Sequence, residues 1–361
     1  MNGTLSPRQV LVLACLAWAL TRPVAPAHSQ ETSMPSFRES RETDADSGWS
    51  VWTLRVDLPA EPRRSQCVRI CPEAGGILFS YVFGGVELLH TPTSLRAAAG
   101  GGTGNPILYP TPNRVRNGRC TFEGREFRFS DDGKTTIHGL VRKLSWQADP
   151  PRRDEGELVL KTWVDFTPET PTFDRFPIRH RLEVEYRLSA TGLRMVFAVE
   201  NRDTARLPFG FAFHPYFRIL GAREQTVIWV PAERKMEATP DLLPTGVLQK
   251  LDGAPFDLRQ PRSLSELALD DVYWGMSAAR PAGYEARDAG IRVSLPASEH
   301  FTHMVVYTPP GKPFFCLENQ TCSTDAHNLH AKGLTDEAHL LVVEPGSRIS
   351  GWVEILPSWT R

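Results

Sequence analysis

The stretch FGFAFHPYFRIL, residues 209–220, places one imidazole inside an otherwise largely apolar segment. An imidazole is costly to bury without hydrogen bonds, and it is also the side chain best suited to moving a proton near neutral pH. His214 is therefore either a hydrogen-bonded core residue or part of an active site. Tyr216 lies on the same predicted strand face, where it could hydrogen-bond to His214 or stack on it.

Four other residues could take part in acid–base chemistry or ligand binding. His138 precedes a glycine in TTIHGLVRKLSW, and Glu318 ends the apolar run FFCLE. A carboxylate that is desolvated at the end of an apolar strand has a raised pKa, which suits a general acid or base. Asn113 and Arg114 follow a proline-rich turn, and arginine offers a rigid fork of hydrogen-bond donors.

Each of these positions, taken singly, also fits an ordinary structural role. His138 could be a structural histidine, Glu318 a solvated strand end, and Arg114 half of a surface ion pair. Together they give two imidazoles and a carboxylate that adjoin aromatic residues. Aromatic rings beside polar groups suit a sugar, which has apolar C–H faces and a rim of hydroxyls.

The elements that must position these residues are mostly predicted strands. Patterns typical of strands occur at residues 157–166, 181–188, 193–201, 291–297, 303–309 and 339–346. The best candidate for a short helix is residues 262–269. Residues 96–118 carry a glycine cluster without the spacing of a phosphate-binding loop, and we expect this loop to pack over a pocket. The pattern predicts an all-β protein, a large sandwich of antiparallel sheets.

The start of the chain is typical of a secretory signal. Arg8 precedes the short apolar run VLVLACLAWAL, and APAHSQ offers cleavage after Ala27 or Ser29. The run is too short for a stable membrane span. We expect an exported protein, periplasmic or extracellular. Lipoprotein anchoring through Cys15 is less favoured, because that cysteine lies inside the apolar run.

Three regions are predicted along the 361 residues. Residues 1–29 are the signal peptide, residues 30–47 are a disordered polar leader, and residues 48–361 form one β-sandwich domain. The chain has 41 Lys and Arg against 42 Asp and Glu. This balance gives no electrostatic basis for binding nucleic acid or an anionic membrane surface. We expect a monomer or a homodimer.

No cofactor or metal site is predicted. CVRIC lacks the partner ligands of a zinc site, and His327 and His330 of HNLH lack an obvious third ligand. Removing the signal leaves five cysteines, which we interpret as scattered thiols with at most one disulfide.

Five ordered segments resemble the aldose 1-epimerase (galactose mutarotase) family. They are NPILYPTPNRVRNGRCTFEGREF, IHGLVRKLSW, FAFHPYF, DLLPTGVL and FFCLENQTCSTDAHNL. The resemblance covers roughly residues 50 to 357 and implies a galactose mutarotase-like supersandwich with an open sugar cleft. The last segment departs from the typical mutarotase ending and is closer to a bacterial subgroup.

The resemblance also implies roles for the catalytic candidates. Glu318 matches the glutamate that removes the proton from the anomeric hydroxyl, and His214 matches the histidine that protonates the ring oxygen. His138 matches a histidine that contacts the sugar and supports catalysis.

The sugar-binding candidates follow in the same way. Arg114, with its neighbour Asn113, matches the pair in the sugar site. The family's sugar-binding aspartate corresponds to Asp270 as first choice and Asp271 as second. The implied function is the interconversion of α and β anomers of free hexoses, with no cofactor. The alternatives are a non-catalytic carbohydrate-binding protein, and a mutarotase for a modified or phosphorylated sugar bound by Arg114, Arg116 and Arg119.

Overall fold

Strands make up most of the regular structure in residues 34–360, the part of the chain that this computed structural model describes. The first strands are β1 (Ser36–Thr43), β2 (Ser50–Asp57), β3 (Gln66–Cys71), β4 (Ile77–Phe83), β5 (Val86–Glu87), β6 (Ile107–Leu108), β7 (Arg114–Val115), β8 (Arg119–Phe122), β9 (Arg125–Arg128), β10 (Thr136–Ile137), β11 (Gln147–Ala148), β12 (Arg152–Asp154), β13 (Glu157–Phe166), β14 (His180–Leu188) and β15 (Leu193–Asn201). They are followed by β16 (Leu207–Phe209), β17 (Ala212–Phe213), β18 (Tyr216–Arg218), β19 (Thr226–Trp229), β20 (Arg234–Ala238), β21 (Pro244–Lys250), β22 (Arg262–Ser263), β23 (Asp270–Trp274), β24 (Ala282–Ala286), β25 (Ile291–Leu295), β26 (His303–Tyr307), β27 (Phe314–Gln320), β28 (Leu341–Val343) and β29 (Arg348–Trp359). The α-helices within these residues are short: α1 (Leu95–Ala98), α2 (Ala326–Ala331) and α3 (Thr335–Ala338).

Three large sheets dominate the described residues. A five-stranded sheet runs in the order β1-β2-β3-β4-β5. A ten-stranded sheet follows the order β11-β13-β14-β15-β29-β25-β24-β19-β22, with β12 paired to β13. An eight-stranded sheet follows the order β21-β20-β23-β26-β27-β17-β6, with β18 also paired to β27. All of their pairings are antiparallel, as the sequence predicted.

The ten-stranded sheet forms where the sequence alternates most cleanly. Strands β13, β14 and β15 pair over nine successive residues each, from Leu158 opposite Leu188 onward. In β14 the buried residues include Leu182, Val184 and Tyr186, at the spacing of two that puts alternate side chains on one face. These strands lie at the positions that the pattern predicted.

One continuous apolar core draws on all three large sheets. Behind the segment that carries His214, the phenylalanines Phe209, Phe211 and Phe213 are fully buried. The ring of Phe211 stacks on Phe197 of β15 at 4.4 Å between centroids. The aromatic run around His214 therefore links the eight-stranded sheet to the ten-stranded sheet.

The predicted disordered leader, residues 30–47, is wrong over most of its length. Ser36–Thr43 forms β1 and pairs along its whole length with β2, so the compact unit begins at Met34 rather than at residue 48. Seven of its eight side chains are exposed. Ladder hydrogen bonds and ion pairs such as Arg38–Asp57 hold it instead of burial. Because an exposed edge strand buries few apolar side chains, its sequence shows no alternating hydrophobic pattern from which the strand could be predicted.

The predicted helix at residues 262–269 is also wrong. Arg262 and Ser263 form β22, which pairs with β19, and Leu264–Glu266 is one turn of 3-10 helix. A segment this short gains little as an isolated helix, whereas pairing with the sheet satisfies its backbone at once. The last predicted strand, residues 339–346, is reduced to β28.

The five cysteines among the described residues are all free thiols. Within residues 34–360 there is no helix with the length and apolar character that a membrane crossing requires. The predicted signal peptide and Cys15 lie outside the described residues, and export stays a prediction.

Candidate active site

A cleft of about 200 Å³ opens on the eight-stranded sheet. Its lining residues are Asn113, Arg114, Ile137, His138, His214, Tyr216, Asp270, Val305, Tyr307 and Glu318. All six residues proposed from the sequence as first choices are in this set. The structure therefore brings together side chains from five separate segments of the chain, which carry Asn113 and Arg114, His138, His214, Asp270 and Glu318.

Glu318 is placed by the alternation of β27. Its neighbours on the same strand face are Cys316 and Gln320, because alternate residues of a strand share a face. Val305 of β26 lies directly opposite it. The Gln320 amide donates to Glu318 Oε2 at 3.2 Å, and the Glu318 side chain is only 3% exposed. The carboxyl group is thus a buried part of the cleft floor.

His214 lies in the break between β17 and β18. Pro215 follows it and has no N–H to donate to a sheet ladder, so the strand is interrupted there. The backbone N–H of His214 donates to the Pro106 carbonyl at 3.1 Å. The imidazole Nδ1 lies 3.4 Å from Glu318 Oε1, and Nε2 lies 3.1 Å from the Tyr216 hydroxyl.

His138 and Asn113 are held by unusual backbone conformations. Their φ angles are +68° and +56°, in the left-handed region that non-glycine residues seldom adopt. The His138 N–H donates to the Asn113 carbonyl at 2.8 Å. The His138 ring meets His214 edge-on at 5.1 Å between centroids. Backbone strain of this kind tends to cluster at functional sites.

The pleat of β23 places the two candidate aspartates on opposite faces of the strand, and only Asp270 lies near Arg114. Asp270 faces the cleft with its carboxylate 3.7 Å from the Arg114 guanidinium. Asp271 points to the other face, where Lys235 binds it at 2.7 Å. Arg114 also donates to the Asn113 side-chain oxygen at 3.0 Å. Of the two alternatives, only Asp270 lines the cleft.

Burial sets the electrostatics of the acid–base pair. It raises the pKa of Glu318, with a further rise from the nearby Asp270 charge, while Gln320 and Arg114 act in the opposite direction. Burial, and then the charge of Arg142, lower the pKa of His214 to about 3. Burial therefore disfavours the charged form of both groups, so it opposes a separated carboxylate and imidazolium in the cleft floor.

His138 is similarly kept neutral. Burial lowers its pKa well below the usual range, and the positive charge of Arg142 contributes to this shift. Its Nδ1 atom is buried without a hydrogen-bond partner among the described residues. A neutral ring of this kind can donate or accept one hydrogen bond from a ligand in the cleft.

One group of side chains could hold a metal ion; two of its members, His214 and Glu318, line the cleft and the third, Cys316, does not. Donor atoms of His214, Cys316 and Glu318 lie within 4.8 Å of one another, and this is the only such group of three among the described residues. Burial raises the pKa of the Cys316 thiol well above its usual value, which disfavours the thiolate that a metal needs. His327 of the HNLH segment instead contacts the Pro208 carbonyl at 3.3 Å.

Several features of the cleft escaped the sequence analysis. Tyr307 reaches it because β26 lies beside β27, and no local pattern signals that pairing. Gln320 could have been found from its spacing of two from Glu318. Arg116 instead faces Asp325 at 3.6 Å, and neither it nor Arg119 lines the cleft, so the basic cluster suggested for a phosphorylated sugar does not form.

The sequence model described as Aldose 1-epimerase matches residues 64–356. The chain belongs to the aldose 1-epimerase family. Among relatives of this family member, the uncharacterized protein YihR of Escherichia coli (strain K12) is 25% identical over 267 residues, which cover 70% of this chain and 80% of YihR. The galactose mutarotase of Sus scrofa is 25% identical over 160 residues, which cover 43% of this chain and 44% of that protein.

Solved structures share the fold of this aldose 1-epimerase family member. A galactose mutarotase-like protein from Clostridium acetobutylicum superposes with a TM-score of 0.78 at 18% identity, covering 90% of this chain and 99% of that one. The galactose 1-epimerase of Lactobacillus acidophilus NCFM gives a TM-score of 0.69 at 15% identity, covering 91% and 99%. The predicted galactose mutarotase-like supersandwich is confirmed.

Proposed function

We propose that this protein is an aldose 1-epimerase that interconverts the α and β anomers of free hexoses. The observation that carries the proposal is the contact of His214 Nδ1 with Glu318 Oε1 at 3.4 Å in the cleft floor. Mutarotation requires one group to take a proton from O1 of the sugar while another gives a proton to O5. Both oxygens are bonded to C1, so an adjacent acid and base on one side of the sugar suit the reaction.

The proposed reaction opens and recloses the ring. Glu318 accepts the O1 proton as His214 donates from Nδ1 to O5, the C1–O5 bond breaks, and an aldehyde forms at C1. Rotation about C1–C2 turns the other aldehyde face toward O5. O5 then attacks C1 while the two protons return, and the opposite anomer forms. Each positioned proton transfer contributes roughly 10²–10⁴-fold.

The pair needs no net gain or loss of protons. A carboxyl group beside a neutral imidazole and a carboxylate beside an imidazolium contain the same number of protons. Transfer of one proton between Glu318 and His214 Nδ1, which lie 3.4 Å apart without a hydrogen bond in the resting structure, interconverts the two states. A bound sugar that donates O1–H to Glu318 favours the carboxylate, because a hydrogen bond to a charged form stabilises it.

The remaining cleft residues bind the sugar in this proposal. Asp270 accepts hydrogen bonds from hydroxyls, and Arg114 and Asn113 donate to them. His138 contacts the sugar beside His214. Asp270 and Arg114 are already oriented by their 3.7 Å contact, so little ordering remains when the sugar enters.

The two alternatives have less support. Sugar binding alone does not require a buried acid and base in contact, which disfavours a non-catalytic carbohydrate-binding protein. A phosphorylated substrate needs several cations in the cleft, whereas Arg116 pairs outside it with Asp325.

The test is polarimetry of freshly dissolved α-D-glucose and α-D-galactose with wild type, Glu318→Gln and Glu200→Gln. Glu200 lies on the ten-stranded sheet beside Arg202 and controls for the same chemical change far from the cleft. We expect acceleration by wild type and Glu200→Gln, and a loss of about 10²–10⁴-fold in Glu318→Gln with sugar binding retained by calorimetry. If wild type accelerates the mutarotation of no aldose yet binds sugars, the carbohydrate-binding alternative replaces the proposal.

A further inference from the structure

We propose that Tyr216 is a positioning residue that fixes the tautomer of His214, and that the glycine loop, residues 100–104, holds Tyr216 in place. This inference deepens the proposed function and rests on it for its kinetic consequences. The glycine loop is the motif that the proposed reaction leaves without a role.

Both nitrogens of His214 face protein groups. Nε2 lies 3.1 Å from the Tyr216 hydroxyl oxygen, and Nδ1 lies 3.4 Å from Glu318 Oε1. A neutral imidazole carries its proton on only one nitrogen, and the partner of one nitrogen decides the state of the other. If Nε2–H donates to the Tyr216 oxygen, Nδ1 keeps a lone pair that faces the Glu318 carboxyl group.

This tautomer is the one that the proposed reaction needs. Nδ1 can then receive a proton from Glu318 and pass it to O5, while Nε2–H stays bonded throughout. In the opposite tautomer Nδ1 already carries the only proton. Its donation would leave an imidazolate, which is far too basic to form at this step. Tyr216 acts through His214 and touches no reacting atom.

Contacts of both the ring and the backbone hold Tyr216 in place. Its ring stacks on His214 at 4.5 Å with an interplanar angle of 15°, and it meets Phe314 edge-on at 5.1 Å. Its backbone N–H donates to the Gly104 carbonyl at 2.8 Å. Burial raises the pKa of the hydroxyl, and the Gly102 backbone N–H works against that rise. In the proposed tautomer the Tyr216 oxygen accepts a hydrogen bond from His214 Nε2, a direction that the NMR experiment below tests.

The glycine loop has the conformation that these contacts require. Gly101, Gly102 and Gly104 have φ angles of +88°, +85° and +63°, where glycine alone is free of strain. A Cβ on Gly104 would lie 2.9 Å from the Leu78 carbonyl oxygen. At Gly102 no atom lies within 4 Å of such a Cβ, so a substitution there would disturb the backbone and nothing else.

The first experiment compares Tyr216→Phe with Tyr273→Phe. Tyr273 is also buried on the same sheet, and its hydroxyl donates to the Phe256 carbonyl at 2.7 Å outside the cleft. Each substitution removes one buried hydroxyl hydrogen bond. We expect kcat to fall about tenfold in Tyr216→Phe with KM nearly unchanged, and Tyr273→Phe to keep the wild-type kcat. Equal kcat in the two variants would overturn the role of Tyr216.

The second experiment measures the tautomer of His214 by ¹⁵N NMR of histidine side chains. The variant His214→Ala serves to assign the His214 signals. We expect Nε2–H in wild type and in Tyr273→Phe, and a mixture of tautomers in Tyr216→Phe. An unchanged tautomer in Tyr216→Phe contradicts the inference. This reading requires no turnover, so it distinguishes a failure of the inference from a failure of the proposed mutarotase activity.

The glycine loop is tested by Gly102→Ala against Gly156→Ala. Gly156 lies in the turn between β12 and β13, with a φ of +84° and no atom within 4 Å of an added Cβ. Both substitutions impose the same backbone strain. We expect similar losses in melting temperature, with a lower kcat only in Gly102→Ala. If both variants retain the wild-type kcat, the loop does not position Tyr216.

Discussion

The Nδ1 atom of His214 and the Oε1 atom of Glu318 lie 3.4 Å apart, and each side chain is at most 5% exposed. The pairing of β17 and β18 with β27 creates this contact between distant parts of the chain. Because water is excluded from both groups, neither is stable as an isolated charge. In the proposed reaction the pair acts as one unit that exchanges a proton, whereas at 3.4 Å the resting His214 Nδ1 makes no hydrogen bond to the described residues. Several consequences can be measured.

Replacing His214 with alanine should remove the rate acceleration without unfolding the protein. The proposed acid is lost, at a cost of about 10²–10⁴-fold in kcat. His303 provides the control, because its ring is bonded to Thr302 and to the Glu337 carbonyl away from the cleft. His303→Ala should lower the melting temperature with little change in kcat of the folded fraction. A lower melting temperature in His214→Ala without a kinetic defect would assign His214 to the core.

The rate should be nearly independent of pH around neutrality. Burial lowers the pKa of His214 to about 3 and raises that of Glu318, so His214 does not titrate where a free imidazole does. We expect no change of kcat at about pH 6.5, where an ordinary imidazole titrates, as measured by polarimetry in buffers of equal ionic strength. An ordinary imidazolium acid would instead lose activity with an apparent pKa near about 6.5. Such a titration would contradict the shared-proton description.

Glu318→Gln should make the protein relatively more stable as the pH rises. The folded protein keeps a proton on Glu318 that the unfolded chain releases above its ordinary pKa, so this group costs stability as the pH increases toward the folded pKa. Urea unfolding at about pH 4 and about pH 7.5 measures the change. The pKa of Glu200 is lowered, mainly by its hydrogen bond from Arg202. The control variant Glu200→Gln should therefore become relatively less stable than wild type as the pH rises. Equal pH dependence in wild type and Glu318→Gln would contradict the burial argument.

Asp270→Asn should weaken sugar binding, whereas Asp271→Asn should not. A hydrogen bond to a charged group is worth about 1.5–3 kcal/mol, so KM should rise about 10–100-fold in Asp270→Asn. Asp271 is bound to Lys235 on the opposite face of β23. Its substitution removes a partly buried ion pair and should leave KM within about twofold of wild type. A higher KM in Asp271→Asn alone would reverse this assignment.

Activity should persist after dialysis against a chelator, because proton transfer at O1 and O5 requires no metal in the proposed reaction. Loss of activity on chelation, with recovery on adding metal, would contradict the proposed mechanism.

Local sequence patterns predicted the parts of the fold that depend on burial. Strands β13, β14 and β15 alternate or bury apolar residues regularly, and their bounds follow from that. Strand β1 was missed because seven of its eight side chains are exposed and it carries no apolar signal. The turn at Leu264–Glu266 was misread because a few residues of amphipathic spacing fit a helix and a strand edge equally well.

Some residues of the candidate site could be predicted from the sequence, and others could not. Spacing and residue type identified His138, His214 and Glu318, and the family resemblance joined them before any distance was known. Tyr307 carried no signal, since it reaches the cleft only through the pairing of β26 with β27. The sequence left Asp270 and Asp271 open, and the pleat of β23 separated them.

The sequence by itself determined the chemical groups, the alternating pattern that selects a β-sandwich, and the glycines that permit left-handed turns. These depend on each residue and its near neighbours in the chain. Tertiary structure decided which groups touch, which of two adjacent aspartates faces the cleft, and which side chains lose contact with water. Those properties depend on the register of strands that are far apart in sequence, and burial then sets the pKa values on which proton transfer depends.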